Sequence, residues 1–333
     1  MNLFHIQRGY FKDSFVFLGS MILSALIAAQ FMGLRGAIVW TSFSVLCTYA
    51  LYNAKPDRSN YLYLILWMTL VLGSAYVGQM LHLTWWFYLY LFVLSYFYYY
   101  LFGRDPVFDR AMRFVIILST IGTALPKITD GLPIGSAIGT ISALIVCHFL
   151  LRKNMDLEAF KQGIFSQDLF RLQTHLIPRA FIYSLGMFLT LLIPHYLGIE
   201  KNYWATITFV MVMPPKASTV FRNSLLRFLG SIVAVLVLFL LFQVPQYLPQ
   251  MNETYYMIGL LFIFSFILPL SFTKGFATVT FWVTCYSLVM VELAMYWNHP
   301  VLALLTDRIV ETALGGIIAI ITSWILKIMR QQD

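Results

Sequence analysis

Twelve apolar stretches follow one another with mostly short polar joints, at about residues 14–32, 36–52, 61–81, 84–102, 112–126 and 132–151, then 177–197, 203–215, 225–244, 255–272, 275–297 and 304–328. Most are long enough to cross roughly 30 Å of hydrocarbon as a helix. A backbone in lipid must satisfy its own hydrogen bonds, and runs so long and uniformly apolar cannot alternate as barrel strands do. With 60% of residues apolar and 11% charged, too little charge remains to dress a water-facing exterior. The chain is expected to be an all-α polytopic membrane protein of about twelve transmembrane helices. Residues 1–13 are charged and lack a signal-peptide core, so the first stretch reads as a retained transmembrane helix.

Charge sets the orientation. Of 22 lysines and arginines, 18 fall at the N-terminus, in the joints after stretches 2, 4, 6, 8 and 10, or at the C-terminus. Four fall on the other side: Arg35, Lys127, Lys201 and Arg308. The positive-inside bias places both termini in the cytoplasm. The net charge of +8 is read as basic cytoplasmic joints facing membrane lipid, with no nucleic-acid partner.

The two halves echo each other. Trp40 and Arg58 stand 18 positions apart, as do Trp204 and Arg222, at an offset of 164 between the pairs. Arg110 falls opposite Lys274 at the same offset, and Asp130, Gly139 and Lys153 fall opposite Asp307, Gly316 and Arg330 at 177. Six stretches per half means that both halves enter from the same side, as two parallel six-helix repeats. The division expected is residues 1–151 for a divergent first repeat, 152–176 for a cytoplasmic amphipathic connector, and 177–333 for the second repeat. Stretches 2 and 8 look too short to span, and stretch 8 stops at Pro214-Pro215, where the helical ladder loses its donors. Interrupted helices at matching places in two repeats point to a transport site, and equally to half-buried spacers.

Several chemistries are excluded. Cys47, Cys147 and Cys285 are scattered in apolar stretches and give no disulfide frame or zinc spacing. The histidines lack ligand spacing, and no phosphate loop, dinucleotide fingerprint or nucleophile elbow is present. Neither an enzyme nor a cofactor is expected.

The second half carries an ordered string: Tyr203-Trp204-Ala205-Thr206-Ile207-Thr208, then Pro214, Ser218-Thr219, Arg222 and Arg227-Phe228-Leu229-Gly230-Ser231, closing with Asp307-Arg308-Ile309, Glu311-Thr312 and Gly315-Gly316. It resembles the fusaric-acid-resistance-like (FUSC) superfamily, which includes aromatic acid exporters. The first half departs from that pattern. Trp40 lacks the flanking Tyr and Ala, and Arg58 lacks a second arginine. The resemblance implies a short two-repeat member in a bacterial inner membrane that exports small organic anions, aromatic or hydroxy acids, in some members with a periplasmic adaptor protein. A homo-oligomer is also compatible with it. A passive anion channel and a non-transporting subunit that docks the adaptor remain open alternatives.

Three groups are candidates for the site. Lys216, Arg222 and Arg227 follow the break in stretch 8, where clustered cations draw a carboxylate in or merely snorkel to lipid phosphates. Tyr203, Trp204, Thr206 and Thr208 lie on the short helix, with Trp204 and Thr208 on one face, suited to an aromatic acid or to an interfacial belt. Tyr96 to Tyr100 reads as such a belt. Asp307 and Glu311, four apart beside Arg308, and Glu292 are embedded acids able to couple protons, the first two alternatively forming an ion pair with Arg308. Trp40 and Arg58 are the first-half equivalents. Gly315-Gly316 and Gly135-xxx-Gly139 predict close helix packing.

Overall fold

The computed structural model describes residues 8–55, 58–124, 131–155, 173–199, 203–215, 218–247, 250–272, 274–295 and 303–331. The connector helix expected between the halves falls mainly on residues 156–172 and lies outside them.

Among the described residues there are twelve helices: α1 (Arg8–Ala28), α2 (Leu34–Tyr52), α3 (Tyr61–Leu81), α4 (Trp85–Leu101), α5 (Pro106–Ala124), α6 (Leu132–Leu151), α7 (Leu176–Tyr196), α8 (Tyr203–Val212), α9 (Val220–Tyr247), α10 (Glu253–Ser271), α11 (Phe276–Met295) and α12 (Ala303–Gln331). Their starts are set locally. The Asn60 side chain accepts the Tyr63 N–H at 3.0 Å to open α3, and Asn252 accepts the Tyr255 N–H at 3.2 Å to open α10. A two-residue parallel bridge joins β1 (Arg58–Ser59) to β2 (Asn154–Met155).

Among the described residues nine helices are long and apolar enough to cross a membrane. The other three are α4 with 17 residues, α5, which opens with Asp109, Arg110 and Arg113, and the ten-residue α8. The expectation that stretches 2 and 8 are both short holds for α8 alone. Helix α2 runs for 19 residues because it begins at Leu34-Arg35, before the apolar run.

The helices form two compact units that draw on both halves of the chain. The first unit comprises Met1–Tyr52, Thr129–Lys153 and Leu229–Thr306, hence α1, α2, α6, most of α9, α10 and α11. Within it α1 packs on α2, α6 and α10, α2 packs on α6 and α11, and α10 packs on α11. The second comprises Asn53–Ile128, Asn154–Phe228 and Asp307–Asp333, hence α3, α4, α5, α7, α8, the first turns of α9 and nearly all of α12. Within it α3 packs on α5, α4 on α7, and α8 on α5 and α7.

Small residues set the close approaches, as the glycine patterns predict. In the first unit a Cβ on Gly139 would lie 2.8 Å from Ser44 Cβ and 3.0 Å from Thr41 Cα. In the second, a Cβ on Gly315 would strike the Ala205 carbonyl oxygen and lie 2.9 Å from Thr208 Cβ. Gly316 instead faces Ser224 at an ordinary 3.5 Å. Gly139 and Gly315 thus each make one close helix contact, the first on α2 and the second on α8.

The aromatic run in α4 is also different from expectation. Tyr98 and Tyr99 are buried, and both pack against Tyr183 of α7 in the core of the second unit. Tyr96 and Tyr100 stack on each other one turn apart and are half-buried.

Candidate functional site

Helix α8 is short because Pro214 and Pro215 follow it, and both of its ends are closed by side chains from distant helices. At its C-terminus the Met213 carbonyl accepts the Tyr183 hydroxyl at 3.2 Å. At its N-terminus Glu311 Oε2 accepts the Trp204 N–H at 2.7 Å and the Ala205 N–H at 3.2 Å. Those are first-turn donors with no partner inside the helix, and a carboxylate there is further favoured by the helix dipole. Protein groups, rather than water or a ligand, therefore take up polar groups at both ends.

All nine of Tyr203 to Val212 other than Met211 are buried, so the short helix is surrounded by protein. Thr206 shares a hydroxyl contact of 2.8 Å with Thr190 of α7. Trp204 and Thr208, one turn apart, each meet an arginine. The Arg308 guanidinium carbon lies 4.0 Å from the centroid of the Trp204 ring. Arg227 Nε reaches Thr208 Oγ1 at 3.5 Å. Both arginines are 1% exposed and Glu311 is 0% exposed. The charge of Arg308 acts on Arg227 as an unfavourable like charge.

Several polar atoms around these groups are unmatched. Arg308 Nε and Nη1 and Trp204 Nε1, all donors, are buried with no hydrogen-bond partner. So are the hydroxyls of Ser224 and Thr312, which can donate or accept, and the acceptor Glu311 Oε1. Lys55 and Asp105 form a direct ion pair at 3.1 Å, whereas Arg308 and Glu311 do not close into one. Instead the Glu311 carboxylate serves the helix end while Arg308 covers the indole. Two buried guanidiniums, one with two unmet donors and with Glu311 as an opposite charge that makes no direct ion pair, form a centre complementary to an oxyanion.

The structure brings together Trp204, Thr208, Arg227 and Glu311 from the expected residues, and adds Arg308. Tyr203 is buried against Trp204, with ring centroids 4.8 Å apart. Thr206 faces α7 instead. Arg222 is exposed, Asp307 is half-buried, and Lys216 lies outside the described residues. Glu292 is buried in α11 and belongs to the first unit. Trp40 is buried in that unit beside Gly135, and Arg58 pairs through its backbone with Asn154. Sequence reading had counted Arg308 among the outward cations and as an ion-pair partner. Its spacing of three from Glu311, which puts both on one helix face, was the available signal. Tyr183 carried none.

Among the described residues no cluster of His, Cys, Asp or Glu is arranged to hold a metal ion. The three cysteines are buried and free.

Residues 188–322 match the fusaric acid resistance protein-like family FUSC_2, and that stretch of the chain is a domain of this kind. It contains Trp204, Thr208, Arg227, Arg308 and Glu311, and leaves Tyr183 and the first half of the chain outside. No curated protein and no solved structure matches the chain.

Proposed function

We propose, with the fusaric acid resistance protein-like domain of residues 188–322 as premise, that this multi-pass membrane protein is a secondary transporter exporting small organic anions from the cytoplasm. The observation that carries the reading is the pair of buried arginines, Arg227 on Thr208 and Arg308 with two unmet donors, neither in a direct ion pair. Burying a lone charge in apolar surroundings is costly, so such a centre is maintained where a counter-charge visits it. Aromatic or hydroxy-acid anions suit a site lined by an indole N–H, guanidinium N–H groups and hydroxyls.

The arrangement we favour is two parallel six-helix repeats with both termini in the cytoplasm, in a bacterial inner membrane. The charge asymmetry of the joints supports that orientation. The make-up of the compact units supports duplication. One unit takes α1, α2 and α6 with counterparts of α3, α4 and α5, while the other takes α3, α4 and α5 with counterparts of α1, α2 and α6. Single cysteines at positions 55 and 216 should react with an impermeant thiol reagent from the same side of the bilayer. Labelling from opposite faces would remove the parallel repeat.

Export is proposed to run on the proton gradient. Inverted vesicles loaded with the protein should accumulate radiolabelled benzoate against its gradient, and an uncoupler should abolish the uptake. Accumulation indifferent to the uncoupler would refute proton drive, and large ohmic currents across a planar bilayer would replace the exporter with a channel. In the same assay Arg227→Ala should abolish uptake and Arg222→Ala should leave it near wild type, because Arg222 is exposed while Arg227 belongs to the buried centre.

A further inference from the structure

The duplicated plan allows the anion centre to be compared with its own counterpart. Gly139 packs on Thr41 and Ser44, and Gly315 packs on Ala205 and Thr208. Thr41 and Ser44 stand 164 positions before Ala205 and Thr208, so the α2–α6 and α8–α12 contacts are the same contact made twice. The match continues one turn earlier. Gly135, at 176 before Glu311, lies against Trp40, and Glu311 lies against Trp204. Ser136 falls opposite Thr312, and both carry a buried hydroxyl without a partner.

At this register Arg308 corresponds to Leu132 and Glu311 to Gly135, while the offset of 164 sets Tyr63 opposite Arg227. Leu132 is 2% exposed in the apolar core of the first unit. A Cβ at Gly135 would lie 2.8 Å from Trp40 Cβ, so this place has no room for a side chain, let alone a carboxylate. Tyr63 spends its hydroxyl on Asp105. Both charged members that α12 supplies are thus replaced in the first unit, and the space that Glu311 fills in one contact is shut in the other; Tyr63 belongs to the second unit.

We infer that the chain holds one oxyanion site, on the α8–α12 contact beside Arg227 in the second unit, and that its counterpart on the α2–α6 contact in the first unit is closed and binds nothing. The ligand is a single soluble carboxylate or comparable oxyanion. A lipid phosphate shares the chemistry, but both arginines are buried in protein rather than turned to the lipid-facing surface. The inference rests on the anion-binding part of the proposed function and is independent of direction and energy source.

Equilibrium binding of radiolabelled benzoate to the purified full-length chain in nanodiscs of zwitterionic lipid tests it. One benzoate should bind per chain. Arg227→Gln and Arg308→Gln should each weaken binding at least about tenfold, the loss expected for a charge-assisted hydrogen bond. Leu132→Ala should leave stoichiometry and affinity unchanged. Two benzoates per chain, no binding by the wild type, or binding that survives both glutamine variants would overturn the inference. Competition by phosphatidylglycerol in the disc would assign the centre to lipid and overturn the soluble ligand. One site per chain without uphill efflux would leave this inference standing and sink the exporter. Efflux with two sites would do the reverse.

Discussion

Arg308→Met should make the protein more stable and inactive at once. Arg308 is 1% exposed, with Nε and Nη1 unpartnered. Each unmet buried donor costs about 1–3 kcal/mol. Against that, the stack on Trp204 at 4.0 Å contributes about 2 kcal/mol where it is desolvated. Methionine retains length and a favourable sulfur–aromatic contact with the indole while removing the charge and its donors. Replacement of buried ionic groups by apolar ones of similar volume stabilises by about 1–4 kcal/mol in comparable cases. At roughly 2 °C per kcal/mol for a large domain, the melting temperature should rise by roughly 2–8 °C. Differential scanning fluorimetry in detergent, without added organic anion, reads this directly. Adding benzoate at a hundred times its Kd should stabilise the wild type by about 2.7 kcal/mol and leave the variant unmoved. The gap between the two should therefore shrink or reverse. A variant that melts lower without benzoate, or that still responds to it, would refute the view of Arg308 as an unpaired cation awaiting a ligand.

Glu311→Gln should lower stability by about 1–3 kcal/mol, since a neutral amide serves two first-turn donors less well, and Glu311→Ala should cost more; equal melting temperatures for both and the wild type would show that α8 does not depend on this cap. Gly315→Ala should cost about 1–3 kcal/mol or prevent folding, because its Cβ meets a backbone carbonyl, whereas Gly316→Ala, with Ser224 at 3.5 Å, should express and melt like the wild type. Tyr183→Phe should lose about 1–3 kcal/mol by leaving the Met213 carbonyl without its donor, measured by the same melting assay. Asp105→Ala should destabilise by a similar amount, as Asp105 meets both Lys55 and Tyr63, while Lys55→Ala at the more exposed end should cost less than about 1 kcal/mol.

Much of this was legible in the chain. Long apolar runs bounded by charged joints placed all twelve helices to within a few residues, because in lipid the backbone has no rival conformation. Trp204 and Thr208 share a face by their spacing alone, and both prolines announced the end of α8. Arg222 and Arg227 look alike as a cluster, yet five residues on a helix turn through about 140°, so one is exposed while the other is buried.

Other features had no local trace. The partners that close α8 are remote, with Tyr183 30 positions before Met213 and Glu311 107 positions after Trp204. No periodicity ties such residues together. The compact units were hidden for the same reason. Helices of one half complete the packing of the other, so neither residues 1–151 nor residues 177–333 coincides with a unit. Arg308 was expected as an ion-pair partner of Asp307 or Glu311, and the structure sets it over the Trp204 indole without a direct ion pair. Its actual place is set by the indole beneath it.

The role of Glu311 follows from where its charge is spent. A carboxylate beside two arginines would ordinarily be read as their counter-ion. Here Oε2 is engaged by two backbone N–H groups whose own helix end carries a partial positive charge, and no ion pair forms with Arg308. The acid therefore answers the helix and leaves two donors of Arg308 unmet. Ten residues of helix cannot hold themselves across a membrane, and α8 keeps its position because Glu311 and Tyr183 fix its two ends. The residue that fixes α8 on α12 thus acts on Arg308 as an opposite charge without satisfying its Nε and Nη1 donors. On the proposed repeat, Gly135 takes that position in the first unit, α2 is long enough to need no such cap, and Leu132 leaves no cation to satisfy. Cap, short helix and unpaired cation occur together in one contact and are missing together from its counterpart.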